Sequence, residues 1–369
     1  MKLVCSKANL LNGVQIVSKA VSNKTTMSIL ECVMVDATKG SITLTANDMD
    51  LGIETIIQGD ILEKGSIALD AKIFLEIVRK LPDSDITIET DSSFKTTITC
   101  EKSKFNIIGK SGEDFSYLPI VEKNDSVIIS QFTLKEVVRQ TIFSISDNDN
   151  NKLMTGELFE INNDELKVVS LDGHRISIRK IQLKNSYSPK KVIVPGKTLN
   201  EVSKILPGGA DNDVIISFTD KHIVFEFGNT TVVSRLIEGE YFKIDQMLSS
   251  DYETKVKINK KEFLNCIDRA TLLVKEGDKK PIIINIVDGS MELKINSILG
   301  SMNEDIDIEK QGKDIMIGFN PKFLIDALRV IDDEEVELYM VNPKAPCFIK
   351  NQEESYIYLI LPVNFTTVS

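Results

Sequence analysis

The sequence has no tryptophan and only two histidines, His174 and His222. That scarcity nearly excludes histidine-based metal catalysis, because imidazole is the commonest protein ligand for transition metals. The five cysteines (Cys5, Cys32, Cys100, Cys266 and Cys347) are scattered, odd in number and never spaced CxxC. The pattern gives no support to a disulfide framework or a zinc site, and a cytoplasmic, reducing setting is expected. Long apolar runs are missing too. PIIIN near 281 and YLILPV near 358 fall far short of the ~20 residues a membrane span needs. The opening MKLVCSKANLLNG has no apolar segment of the secretory kind. Neither GxxxxGKS/T nor GxGxxG occurs, which leaves nucleotide binding unsupported and no cofactor implied.

What is present is an ordinary folding composition: 42% hydrophobic and 27% charged residues over 369 positions. At roughly 150 residues per domain this length suits two to three domains. The formal net charge of -11 argues, at face value, against a nucleic-acid binder.

An internal repeat changes that view. ALDAKIFLEIVRKLP from Ala68, VPGKTLNEVSKILPGG from Val194 and GFNPKFLIDALRVID from Gly318 each read as strand, turn and a lysine-led amphipathic run. The leading lysines, Lys72, Lys197 and Lys322, stand 125 residues apart both times, and Arg79, Lys204 and Arg329 follow seven positions later. A second amphipathic run opens each copy: LLNGVQIVSKAV from Leu10, FTLKEVVRQTIF from Phe132 and KEFLNCIDRATLLV from Lys261. Alternating strands follow, with turns predicted at Lys39-Gly40, Asn162-Asn163 and Asp288-Gly289. The repeat predicts an α+β fold of three domains, 1–124, 125–250 and 251–369, each with two helices covering antiparallel sheet. Boundaries fall near Glu122 to Ser126 and Ser249 to Thr254, and three similar units suggest a symmetric object closed by oligomerisation.

Charge is unevenly spread. Six predicted helices (7–19, 72–80, 132–144, 197–205, 260–275 and 322–329) sum to +9, so the remainder carries -20. Residues seven apart on a helix differ by about 20° in direction and about 10 Å along the axis. Lys72 with Arg79, Lys197 with Lys204, and Lys322 with Arg329 therefore each share a face, while Phe74, Leu75 and Val78 bury the opposite side. Such faces suit sequence-blind contact with phosphates, which needs charge and no base-reading side chains. They also suit simple solvation of an amphipathic helix.

Other motifs carry less. SDNDNNKLMTGEL from Ser146 fails as a calcium loop, because Lys152 and Leu158 stand where glycine and glutamate are required; Lys152 remains available to a phosphate or a partner. Asp172-Gly173-His174-Arg175 is a turn signal first, or the wall of a binding groove lined by His174 and Arg175. As an enzyme it would need an oriented nucleophile, and Ser170 and Ser177 form no signature. The apolar ending IYLILPVNFTTVS is either a core-closing strand or one lip of an apolar peptide-binding cleft.

Taken together, the MKL start, LTANDMDLGI from Leu44, SLDGHRIS from Ser170, VIVPGKTLNEVSKIL from Val192, SRLIEGEYF from Ser234, IGFNPKFLIDAL from Ile317 and the final YLILPV resemble one family across the chain. It is the bacterial DNA polymerase III beta subunit, the replicative sliding clamp. The resemblance implies a head-to-tail homodimeric ring of six similar domains whose helices surround duplex DNA, with no catalysis and no metal. It implies an apolar cleft that receives short linear peptides from the polymerase, the clamp loader and repair proteins. Carried over, that cleft falls on Met154, Leu171, Gly173, His174, Arg175 and Ile176, then Phe242, Gln246 and Met247. It ends with Leu359, Ile360, Leu361, Pro362, Val363, Asn364 and Phe365. Ring closure falls on Phe105, Ile107, Leu272 and Leu273. Lys24 matches a basic loop position, and Lys80, Lys135 and Arg139 join the helix residues above on the DNA side. Leu171 stands where threonine is common, Tyr241-Phe242 replaces Phe-Pro, and Asn364 sits where arginine is frequent, so this cleft is more apolar and less basic than is usual. A peptide-binding scaffold that never touches nucleic acid is the alternative function.

Overall fold

Each repeat opens with a strand that runs straight into a helix whose cap the sequence supplies. Ser6 accepts a hydrogen bond from the Asn9 N–H, Ser130 from Thr133 and Asn259 from Glu262, satisfying amide groups that the first turn leaves unpaired. In the computed structural model, the described residues are 1–22, 25–115, 118–119, 121, 126–148, 150–248, 251–274 and 280–365. Lys24 and most of the two inter-repeat boundaries lie outside them.

The first repeat comprises β1 (Lys2–Ser6), α1 (Lys7–Val17), β2 (Cys32–Asp36), β3 (Ile42–Asn47), β4 (Leu51–Ile57), β5 (Asp60–Glu63), β6 (Ser66–Asp70), α2 (Ala71–Lys80), β7 (Asp85–Thr90), β8 (Lys95–Cys100) and β9 (Ser103–Ile108). The second has β10 (Ser126–Ser130), α3 (Gln131–Thr141), β11 (Gly156–Leu171), β12 (Arg175–Pro195), α4 (Gly196–Ile205), β13 (Asp213–Phe218), β14 (His222–Phe227) and β15 (Thr230–Arg235). The third has β16 (Thr254–Asn259), α5 (Lys260–Thr271), β17 (Ile282–Val287), β18 (Ser290–Ser297), β19 (Gly300–Asp307), β20 (Glu309–Gly312), β21 (Ile315–Phe319), α6 (Pro321–Val330), β22 (Glu335–Met340), β23 (Cys347–Lys350) and β24 (Tyr356–Ile360). The helices α2, α4 and α6 each span ten residues and begin 125 residues apart.

Compactness divides the chain differently from the repeat. One unit is Met1–Thr133 with Lys197–Leu236; the other is Leu134–Gly196 with Ile237–Ser369. The first unit holds a five-stranded sheet, β5-β1-β7-β8-β9, and an eight-stranded sheet, β10-β13-β14-β15-β4-β3-β2-β6. The second holds a seven-stranded sheet, β11-β12-β24-β23-β22-β16-β20, and a four-stranded one, β19-β18-β17-β21. The central repeat is shared because its strands pair with both neighbours. β15 pairs antiparallel with β4, Val232 opposite Ile53, and β12 pairs antiparallel with β24, Ser177 opposite Tyr358.

Packing follows the sequence pattern. On α2, Ala71, Phe74, Ile77 and Val78 are buried, Leu75 is half-buried, and Lys72, Arg79 and Lys80 are exposed. The turns at Gly40 (φ 89°) and Gly289 (φ 76°) fall where predicted. Asn162-Asn163 is different. The chain bends there, with Asn163 at φ 53° and the register to β12 slipping on either side, yet both halves of β11 pair with one long β12 instead of forming a separate hairpin.

Candidate functional site: an apolar cleft and basic helix faces

In the second unit, Leu171, Ile176 and Leu359 lie opposite one another across β11, β12 and β24. They form a ladder of apolar side chains over the buried cluster that includes Leu158, Val169 and Ile178. The turn joining β11 to β12 is fixed by Asp172, whose carboxylate accepts from the N–H groups of His174 (2.9 Å) and Arg175 (3.1 Å). Gly173 supplies the left-handed residue of this turn, at φ 88°. Leu361 continues beyond β24, and its N–H donates to the His174 carbonyl at 2.9 Å. Above this floor, Phe242 packs edge-on against Tyr241, with ring centroids 5.6 Å apart. These elements enclose a cavity of about 450 Å³, completed by Met154, Met247 and Pro346. The lining is almost wholly hydrocarbon, with an exposed Met247 (51%) and Leu361 (37%) at the rim. Such a cavity takes a few apolar anchors from a partner, with backbone groups setting register.

Most residues that the sequence assigned to this cleft meet here, but not all. Ile360 is 1% exposed and faces the opposite core, because side chains alternate along β24 and only Leu359 and Leu361 point to the cleft. Gln246 is exposed on a short helical turn and does not line the cavity. Pro362, Val363, Asn364 and Phe365 leave it as well. The Val363 N–H donates to the Gly318 carbonyl at 2.8 Å, and Phe365 covers Gly318, where a Cβ would stand 2.6 Å from the ring. Glycine at 318, where the other repeats have Ala68 and Ile193, is thus explained by the tail. Pro346 had no signal in the sequence; it reaches the cleft because β23 pairs with β24.

The first unit holds the counterpart of this site, nearly filled. The turn Asp48–Leu51, Leu118 and Val233 occupy positions matching 172–175, Phe242 and Leu359, but the space between them is only about 110 Å³. Leu118 sits directly on Gly52, where a Cβ would lie 1.9 Å from its Cδ2. The position equivalent to Gly52 in the second unit is Ile176, whose side chain forms the cleft floor.

The basic helix residues are largely exposed. Lys72, Arg79, Lys80, Lys152, Lys197, Lys204, Lys322 and Arg329 all reach solvent. Several have acidic neighbours: Arg79 with Glu76, Lys197 with Asp48, Lys204 with Glu201 (2.8 Å) and Arg329 with Asp268 (3.3 Å). Exposed pairs of this kind contribute about 0–1 kcal/mol, little enough for a phosphate to displace them. Arg139 is different. Its guanidinium is held by Glu136, by Asp332 at 3.0 Å and by the Val330 carbonyl at 3.2 Å, all within one unit. Three acceptors commit it to packing α3 against the end of α6. Among the described residues there is no cluster of three or more potential metal ligands and no helix long and apolar enough to cross a membrane.

Among the edge strands of the described sheets, β9 ends the five-stranded sheet and β19 the four-stranded one. On β9, Phe105 and Ile107 extend the buried face of Ile98 and Thr96, yet Phe105 is 39% exposed. On β19, Met302 extends the face of Ile295. Leu272, at the end of α5, is 79% exposed, while Leu273 packs on the core near Gly300 of β19.

Three helix–strand–helix–strand repeats, with sheets running across the repeat boundaries and basic helix faces, define an α+β clamp fold. Comparison with known proteins agrees. The families described as DNA polymerase III beta subunit, N-terminal, central and C-terminal domain, match residues 1–119, 128–243 and 245–364. The chain is 33% identical over 374 residues to the beta sliding clamp of Staphylococcus epidermidis, covering 98% of this chain and 99% of the relative. A putative DNA polymerase III beta subunit from Eubacterium rectale superposes with a TM-score of 0.97 at 77% identity, over 99% of this chain and 100% of that one. The sliding clamp of Bacillus subtilis does so with 0.96 at 32%, over the same shares. The chain belongs to the bacterial DNA polymerase III beta subunit family. It is a DNA sliding clamp for the replicative polymerase, and a scaffold indifferent to nucleic acid is not favoured.

Proposed function

We propose that two copies of this chain close head-to-tail into a ring around duplex DNA. The ring tethers the polymerase, and the apolar cleft receives short peptides from the polymerase, the clamp loader and repair proteins. The observation that carries the reading is how one repeat joins the next. At both internal junctions, the strand after the turn of one repeat (β4, β12) pairs antiparallel with the last strand of the following repeat (β15, β24). The third repeat's equivalent of β4 is β19, and the first repeat's equivalent of β15 is β9; unlike β4 and β15, both are edge strands among the described residues. A second copy supplies each edge with the partner its equivalents already have. Open strand edges with uncovered apolar residues demand such cover.

The register follows from the same equivalence. Ile53 faces Val232 and Ser177 faces Tyr358, so Met302 of one copy should face Phe105 of the other. Ile107 then meets Gly300, next to Leu273 and Leu272. The three domains of this reading are 1–124, 125–250 and 251–369, with six domains in the ring. DNA is held by Lys24, Lys72, Arg79, Lys80, Lys135, Lys152, Lys197, Lys204, Lys322 and Arg329, with Arg139 mainly structural. The reading assigns no residue a catalytic role, and Asp172 is committed to its turn and to Arg175. The protein works in the cytoplasm.

Sedimentation equilibrium tests the closure. The wild type should be a dimer, and Phe105→Asp and Met302→Asp should each give monomers. Phe105→Cys combined with Met302→Cys should cross-link copies on oxidation. A dimer indifferent to both aspartates would overturn the assigned interface.

A further inference from the structure

Arg175 is a cleft residue by position, but its guanidinium is turned away from the cavity. Nε donates to Asp172 at 2.9 Å, Nη1 to Asp326 on α6 at 2.7 Å, and Nη2 to the Phe143 carbonyl at 2.5 Å. The same group lies 4.6 Å from the centre of the Phe323 ring and 5.4 Å from that of Phe143. Each of the three nitrogens is engaged and the residue is 7% exposed, so the guanidinium serves the wall more than the cavity. His174, its neighbour on the cleft wall, stacks on Phe323 with centroids 6.0 Å apart and planes 22° from parallel. The wall of the cleft therefore leans on two residues of α6, Phe323 and Asp326, neither of which lines the cavity. A charged pair at this depth is held by hydrogen bonds on both partners, and loss of one partner leaves the other stranded.

We infer that Asp326 is a positioning residue for the peptide cleft. Through Arg175 it fixes the 172–175 turn, and with it the carbonyl of His174 that anchors Leu361. The inference rests on the reading of this cleft as the peptide site. It has a second consequence. At 100° per residue, Asp326 lies about 40° from Lys322 and 60° from Arg329 around α6, between that basic ridge and Phe323. Removing its negative charge should leave DNA contact unchanged or strengthened while peptide binding weakens. A general folding defect would weaken both.

The test uses the full-length protein and a fluorescent linear peptide selected against the wild type from a random display library. Anisotropy and stopped-flow should show Asp326→Ala weakening binding about 5- to 20-fold, mostly through faster dissociation. Asp326→Glu should restore affinity to within about twofold, and Arg175→Ala with Asp326→Ala should bind no worse than Arg175→Ala alone. Retention on DNA should not fall for Asp326→Asn. Met247→Ala and Leu361→Ala, which alter the cavity rim itself, serve as controls. If those controls weaken binding and the α6 variants do not, the positioning role is refuted while the cleft reading stands. If neither set has an effect, the cleft is not the peptide site. If Asp326→Asn loses peptide and DNA together, the residue is merely structural.

Discussion

Glu157 offers a sharp test of the buried architecture behind the cleft. It lies on β11 opposite Val194, is fully buried, and neither carboxyl oxygen has a hydrogen-bond partner among the described residues. Burial pushes its pKa up to about 8, and the nearby Thr141 hydroxyl donates to the Val137 carbonyl instead. The sign follows from proton binding. Between the ordinary carboxyl value of 4.5 and about 8, the folded chain keeps a proton that the unfolded chain releases. Stability contributed by this group is full below pH 4.5 and falls as pH rises towards 8, by at most ~1.4 kcal/mol per unit. Above pH 8 both states are ionised and the loss is complete, a ceiling of about 5 kcal/mol that local relaxation reduces to a few. Glu157→Gln keeps the shape and removes the titration. Denaturant melts of both proteins at pH 5, 6, 7, 8 and 9, followed by tyrosine fluorescence, give the difference curve directly, because other titrating groups cancel. The margin of the variant over the wild type should grow from pH 5 to pH 8 and level off above it. Parallel curves across the range would refute a buried, protonated Glu157.

Further expectations follow from the same contacts. Reversing the charges of Lys72, Arg79, Lys197 and Lys204 together should impair retention on DNA while circular dichroism and the dimer persist; unimpaired retention would count against the basic faces. For wild-type binding, the slope of log affinity against log salt should be near -0.9 per phosphate neutralised, and the quadruple variant should show a shallower one by fluorescence titration. Gly318→Val should expel Phe365 from β21 at a cost of about 1–3 kcal/mol, read as faster proteolysis of the chain end with little change in the dimer.

The sequence is legible where the repeat speaks. The 125-residue spacing placed α2, α4 and α6 to within a residue of their observed starts, because cap, lysine and apolar spacing all agree at each site. The Asp172–Arg175 turn and the terminal apolar strand were visible as separate features. Their meeting required long-range pairing of β12 with β24, which no local pattern encodes. For the same reason a contiguous reading of 359–365 misses two details: strand alternation hides Ile360, and Phe365 packs on Gly318. The sequence assigns Arg139 to the DNA side and Arg175 to a groove wall. Their acceptors, Asp332 and Asp326, lie far along the chain, so only the fold reveals that both are ties between elements. The difference between the two turn-and-strand sites was likewise hidden in one residue pair, Gly52 with Leu118 against Ile176 with an open cavity.

The central claim is enclosure of DNA. The measurement that tests it most directly is residence on linear duplex after loading, with the ends either free or blocked by bulky proteins. Enclosure predicts that blocked ends prolong residence many-fold, while free ends let the protein run off. Equal lifetimes with free and blocked ends would contradict a closed ring.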